Sequence, residues 1–399
     1  MFEKALTGNR KYWGWIVLLL AIIGVGVVSY LQQWFHGLGV TGMGRDVSWG
    51  LYIANFTFLV GVAASAVTVV LPYYLHNHKE FRRITTLGEF LAVAAILMCV
   101  LFIVTDLGQP RRVFNLFLHP SPTSPLFWDT IVLSTYLLLN LVIGWYVLDA
   151  RHKEEAPMGW IKPLILISIP WAISIHTVTA FIYSGLVARP FWLTALMAPR
   201  FLSSAFASGP ALLIILSLIV RRFGGFDVGK EALQKLAVIV TYATIGTVFF
   251  LLVEVFTVFY SGIPEHTVHF QYFFIGVEGK TNLAPWMWTA FIFWGISIVL
   301  LLFPSTRKRE GTLAIAAVLV FVSMWIDKGL GLLMPGFFPS PTGELFEYWP
   351  TLTEALITLG IWALGFLVLT VFYKITVSVM KEVDEESAPT NSSSQVAGE

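Results

Sequence analysis

The sequence predicts an all-α integral membrane protein of ten transmembrane helices, on three observations. Of its 399 residues, 57% are hydrophobic and 12% charged, roughly half the charge share of a soluble domain. Ten apolar runs each approach the roughly twenty residues that cross a bilayer as a helix. The connections between them alternate in basic charge, with 18 of the 25 Lys and Arg falling on one side and 7 on the other. Cytoplasmic loops retain positive charge, so this bias places both termini in the cytoplasm and the chain in the cytoplasmic (inner) membrane.

The runs, in order, are Tyr12–Leu31, Trp49–Tyr74, Leu87–Thr105, Phe127–Leu148, Pro163–Val187, Ser203–Val220, Ala237–Tyr260, Pro285–Phe303, Leu313–Leu333 and Leu352–Phe372. The first follows MFEKALTGNRKYW with no small-residue cleavage site and reads as a retained span, not a signal peptide. The sixth is short, and Arg200 precedes it in the connection. Residues 1–380 read as one polytopic membrane domain. Residues 381–399, rich in Ser and Glu, have too little apolar surface to fold and are expected to form a disordered cytoplasmic tail.

The basic connections are short. The opposite ones are long and rich in Gly, Pro and aromatics: WFHGLGVTGMGRDV, DLGQPRRVFNLFLHPSPTSP and MPGFFPSPTGELFEYWP. Long loops of this composition form ordered functional surface, and an apolar outer face points to a docked partner.

Ionisable groups inside a membrane are costly and mark functional positions. His176 lies 13 residues past Pro163, about 20 Å up a helix, and the other seven histidines fall between apolar runs. Asp106, Asp129, His176, Glu254, Asp327, Lys328 and Glu354 all crowd the outer half, whereas the inner half offers mainly Glu89. Asp129 and Glu354 begin their runs and are expected to snorkel. Asp327 and Lys328 fit an ion pair to other helices. His176 and Glu254 are too deep to snorkel and need partners.

Other chemistries lack their anchors. A single cysteine, Cys99, excludes an internal disulfide, a Cys-rich zinc site and an iron–sulfur cluster held by this chain alone. One intramembrane histidine does not supply the pair that a membrane b-haem uses. No Walker A, Rossmann glycine fingerprint or HExxH is present, and no basic patch suits nucleic acid. A hydrophobic, lipid-facing, proton-exchanging outer site suits quinone chemistry. Two rivals are a proton-coupled secondary transporter using Glu254, His176 and Asp327, and a passive membrane anchor. Transport draws on a short internal echo, Asp106-x-Gly108 before one PSPT and Asp327-x-Gly329 before another.

Four stretches carry a resemblance: WGLYIANFTFLVGVAAS from Trp49, DLGQPRRVFNLFLHPSPTSPLFWDT from Asp106, HTVTAFIYSGLVARPFW from His176 with APRFLSSAFASGPALL from Ala198, and DKGLGLLMPGFFPSPTGE from Asp327. Together, and in this order, they resemble the NrfD/PsrC family of polysulfide-reductase membrane subunits. The likeness is greatest to its ten-helix branch of DsrP, Hmc and Tmc type, found in transmembrane redox complexes of sulfur metabolism. The resemblance implies two four-helix bundles plus two peripheral helices. It implies a subunit that is non-catalytic alone, carries no haem or iron–sulfur cluster, and binds menaquinone or ubiquinone. A ferredoxin-like iron–sulfur subunit would dock on the extracytoplasmic face, with cytochrome c, cytochrome b and cytoplasmic iron–sulfur subunits in the same complex. His176 and Asp106 would lie at the quinone head group, with Trp49 and Asn55 on the facing second span and Arg111 nearby. Glu254, Asp327, Lys328 and Glu89 would form a proton relay. Some branches of the family carry an acidic residue shortly after the histidine, where this chain has Thr177, Val178 and Thr179, and Asp106 is the candidate proton partner by elimination.

Overall fold

The computed structural model describes residues 2–155 and 158–386. Among the described residues ten helices are long and apolar enough to cross a membrane: α1 (Arg10–Val40), α2 (Leu51–Tyr74), α3 (Thr85–Asp106), α4 (Pro125–His152), α5 (Ile161–Ser184), α6 (Met197–Gly224), α7 (Lys230–Ser261), α8 (Ala284–Leu302), α9 (Glu310–Phe337) and α10 (Leu352–Glu385). This is the multi-pass architecture the sequence predicts.

Two differences from the predicted bounds matter. Helix α6 starts at Met197 and so takes Arg200 into the membrane-spanning part, where the apolar pattern puts it in a connection. The last helix runs on through Glu386, so residues 381–386, expected to begin the polar tail, continue a helix. Residues 387–399 lie outside the described residues.

Helices α2–α5 pack as one four-helix bundle and α6–α9 as a second. The two join where α6 meets α2 and α5 and where α9 meets α2. Helices α1 and α10 pair on the periphery, with α10 resting on α3 and α4. The α1–α10 pair closes on two glycines: a Cβ on Gly26 would stand 2.7 Å from Gly360 Cα. Small residues are what let backbones approach this closely in lipid.

Helix α2 is apolar all round, the pattern of a helix enclosed by protein, and its apolar window is wholly buried. Midway it tightens into a 3-10 turn, Ala63–Ser65. There Gly209 of α6 meets it backbone to backbone, since a Cβ on Gly209 would lie 2.7 Å from Ser65 N. Helix α9 departs from α geometry in a π turn, Ile326–Leu330, that contains Asp327 and Lys328. Such turns free backbone groups and re-aim side chains.

The connections at the end opposite the basic loops are ordered. Tyr348 accepts from Leu51 N (2.7 Å) and so caps the start of α2, while donating to Glu354 (2.6 Å). Burial, then the Glu354 carboxylate, push the Tyr348 hydroxyl well above its usual range, which keeps it a donor. Between α7 and α8 a short helix, Pro264–Phe274, buries His269. Its Nδ1 lies 2.9 Å from Pro335 O and 2.6 Å from Phe338 O, pinning the end of α9.

Candidate functional site

Helix α5 presents His176, Thr179 and Tyr183 at i, i+3 and i+7, the spacing of one helix face. All three are buried. His176 is fully enclosed, and neither ring nitrogen has a hydrogen-bond partner among the described residues. One turn on, the single hydroxyl proton of Thr179 is shared between two acceptors, Asp129 Oδ1 of α4 (2.5 Å) and Ile175 O (2.7 Å). Asp129 Oδ2 is buried without a partner. Asp129 therefore does not snorkel as expected; it turns inward because Thr179 offers a hydroxyl in the core. Tyr183 pairs its hydroxyl with Thr57 of α2 and sets its ring against Trp49 (5.5 Å) and Trp192 (5.2 Å).

Asp106, at the far end of α3, is half-buried with Oδ1 unpartnered. It lies within electrostatic reach of Tyr52, Tyr183 and Glu354, and no hydrogen bond joins it to His176. Tyr183 is in reach of both Asp129 and Asp106. A polar column thus climbs from His176 past Thr179 and Asp129 to Tyr183, with Asp106 at its top.

The remaining predicted head-group residues divide. Trp49 closes the top of the column in an aromatic cluster with Tyr183, Trp192 (5.7 Å) and Phe337 (5.9 Å). Asn55 is committed elsewhere: its Oδ1 accepts from Trp325 (3.1 Å) and Trp362 (3.0 Å), and its Nδ2 donates to Leu51 O (2.7 Å). It ties α2 to α9 and α10. Arg111 is exposed, with its guanidinium 5.7 Å from the Trp34 ring at the end of α1.

A second buried cluster occupies the other bundle. Arg200 donates to Glu254 (2.6 Å) and to Asp327 (3.1 Å), and all three side chains are buried. Lys328 donates to Phe201 O (2.9 Å) and stands 4.2 Å from the Phe201 ring centre. Two carboxylates and two cations make the group formally neutral, which is how charge is tolerated in lipid. The cation central to it, Arg200, escapes a sequence reading that places it in a loop. The shortness of the sixth run is the signal, since extending it to full span length takes in Arg200. Among the described residues Asp327 and Lys328 form no ion pair with each other; the π turn directs one at Arg200 and the other at Phe201. Lys328 is also within electrostatic reach of His176.

Two carboxylates stand apart. Glu89 is buried on α3 with neither oxygen bonded; a Cβ on Gly144 of α4 would lie 3.3 Å from Oε2, and Arg151 is within electrostatic reach. Glu354, also expected to snorkel, is fully buried and accepts from Gly42 N (2.7 Å), Thr351 N (2.9 Å) and Tyr348. Its role is to fasten loops. Among the described residues no group of three or more His, Cys, Asp or Glu is arranged to hold a metal ion.

A groove of about 520 Å³ on the flank of α5, α6 and α7 is lined by Thr177, Ala198, Pro199, Leu202, Phe206 and Phe250. Thr177 bonds back to Ile173 O (3.0 Å), so this wall offers a ligand mostly hydrocarbon.

The fold and the buried groups define a ten-helix membrane protein that holds an unpartnered imidazole and a formally neutral four-charge cluster in its interior. Similarity to known proteins sharpens this. Residues 39–338 match the family described as polysulphide reductase, NrfD, and the chain belongs to that family. It is 26% identical to a candidate dimethyl sulfoxide reductase membrane protein of Halobacterium salinarum, over 89% of each chain. It is 23% identical to the Hdr-like menaquinol oxidoreductase integral membrane subunit of Archaeoglobus fulgidus, over 96% of this chain and 98% of that one. It is 26% identical to a selenate reductase subunit of Mesobacillus selenatarsenatis, over 93% and 94%.

Proposed function

We propose that this chain is the quinone-reactive membrane subunit of a respiratory redox complex of the cytoplasmic membrane. It exchanges electrons between a menaquinone or ubiquinone pool and an iron–sulfur partner on the extracytoplasmic face, in dissimilatory sulfur metabolism. Cytochrome and cytoplasmic iron–sulfur subunits complete the assembly. The observation that carries the reading is the unpartnered His176. Buried polar groups are nearly always hydrogen-bonded, so an imidazole whose two nitrogens lack a partner among the described residues keeps its capacity to bond a ligand's oxygen. The relative named a menaquinol oxidoreductase membrane subunit supports quinone as that ligand.

Oxidising a quinol to a quinone releases two electrons and two protons. The electrons leave to the partner's clusters, and the protons need acceptors inside the membrane. A neutral imidazole accepts a proton at one ring nitrogen and gives up the proton on the other, so it relays without a lasting charge. Asp129, held by Thr179, and Asp106, higher in the column, supply the next acceptors toward the outer face. A flank groove of this size and apolarity suits a hydrocarbon chain.

His176→Ala tests the assignment. The complex assembles, and quinone-linked electron transfer falls on the order of a hundredfold or more, the usual loss for a positioned acid–base group. Wild-type rates in an assembled complex place the quinone elsewhere. The four-charge cluster, with Glu254, Asp327 and Lys328 about Arg200, and Glu89 at the basic end supply a proton relay in the same reading. Glu254→Gln, which keeps the shape and removes the charge, lowers proton uptake per electron while leaving quinone binding intact; unchanged proton stoichiometry removes the relay.

A further inference from the structure

At the basic end five of the eighteen cations stand in ion pairs among the described residues, Lys4 with Glu382, Arg83 with Asp384, Lys153 with Asp149, Arg221 with Glu310 and Lys235 with Glu80. At the opposite end Arg45, Arg111, Arg112 and Arg189 form no ion pair among the described residues. The charge there is also split by bundle. Loops 37–50, 107–124 and 185–196 carry these four arginines against one carboxylate, Asp46. Loops 262–283 and 338–351 carry four glutamates, Glu265, Glu278, Glu344 and Glu347, against one lysine, Lys280.

The arginine loops adjoin one another. Arg189 donates to Asp46 O (3.3 Å) and stacks 4.6 Å from the Phe337 ring centre, and Arg111 covers Trp34 at the end of α1. The same loops carry large apolar side chains in the open: Phe114 is 67% exposed, Leu118 70% and Val187 78%. The 334–350 stretch contributes less surface than its composition predicts, because Met334–Phe338, Ser340 and Tyr348 are buried as floor.

We propose that the arginine-lined half of this end, around Phe114, Phe117 and Leu118, is the seat for an acidic face of a soluble protein subunit. The inference rests on the reading that a redox partner occupies this end, and it names the half and the charge. Unneutralised arginines beside exposed aromatics are the composition of an interface core and its rim, and charge of one sign steers and orients an opposite partner. The glutamate half repels the same acidic face and fixes its orientation. An anionic lipid headgroup explains the arginines but leaves the glutamate half without purpose.

The test uses the complex isolated from its own membranes through a tag on this chain. A photoreactive phenylalanine analogue at position 117 crosslinks to an acidic segment of a soluble subunit. Arg45→Glu with Arg112→Glu lowers that subunit's occupancy on the order of tenfold at low salt and flattens its salt dependence. Arg45→Lys with Arg112→Lys retains it, which separates charge from misfolding. Three results overturn the proposal: undiminished occupancy in the glutamate variant, crosslinks only from the glutamate half, or loss of bound anionic lipid with the soluble partner still in place. Short-chain quinone binding, expected unchanged in these variants, distinguishes failure of this surface from failure of the quinone reading.

Discussion

The two bundles each bury a set of ionisable groups, and they satisfy them in opposite ways. In the second bundle every charge is answered: Glu254 and Asp327 by Arg200, and Lys328 by a carbonyl and a ring. In the first, His176 has no partner at either nitrogen, and Asp129 and Asp106 each keep an oxygen unbonded. A buried polar group left unsatisfied costs about 1–3 kcal/mol. The first bundle therefore carries an expense that the second avoids. Satisfied charges bind helices to one another; unsatisfied ones keep hydrogen-bonding capacity in reserve.

The sharpest way to break this contrast is Arg200→Met. It strands two buried carboxylates, and removing one partner of a buried pair costs about 3–5 kcal/mol. The folded yield and melting temperature in detergent fall steeply, and adding Glu254→Gln and Asp327→Asn restores them. Full stability in the single variant would mean that the cluster is not a paired network.

His176→Leu is the counterpart. It removes two unsatisfied atoms, so the melting temperature holds or rises while quinone-linked turnover drops about a hundredfold. A stability loss like that of Arg200→Met erases the distinction between the bundles. Thr179→Val is milder, costing about 1–2 kcal/mol through the lost bond to Asp129. A double-mutant cycle with Asp129→Asn measures that coupling, and additive effects mean the contact is idle.

The smallest effect tests the ordered connections. Burial holds the His269 imidazole below its ordinary value, against the opposing pull of the Phe338 and Pro335 carbonyls. The folded chain keeps it neutral, whereas an unfolded histidine takes a proton as pH falls through about 6.5. Its contribution is full above that value and lost as pH falls toward the depressed native one. Amide exchange at residues 335–338 rises between pH 7.5 and 5.5 in the wild type, and His269→Phe removes the pH dependence.

Much of the architecture is legible in the sequence because membranes impose a length and a composition on each helix. Ten apolar runs correspond to ten helices, and the shared motifs imply the two-bundle arrangement. His176 is legible for the same reason, since an imidazole in an apolar run has few explanations. Asp129 and Glu354 mislead because depth along a helix is visible in sequence but direction around it is not. Both turn inward to partners on other segments, Thr179 for one, and Gly42 with Tyr348 for the other. Asn55 sits at the expected depth, yet two indoles already occupy its acceptor.

The sequence by itself determined the number of helices, their apolar faces and the depth of each ionisable group. These depend on local composition and a fixed rise per residue. The tertiary structure decided which of those groups meet. Arg200 became a counter-ion through a helix that starts at Met197, ahead of the apolar run, and Asp327 and Lys328 were aimed apart by a π turn that no periodicity announces. Thr179, one turn past His176, is met by Asp129 from α4, whereas Asp106, the partner expected for His176, makes no hydrogen bond to it among the described residues. Pairing between helices depends on rotation and register, which are set by packing against neighbours and are written in no single segment.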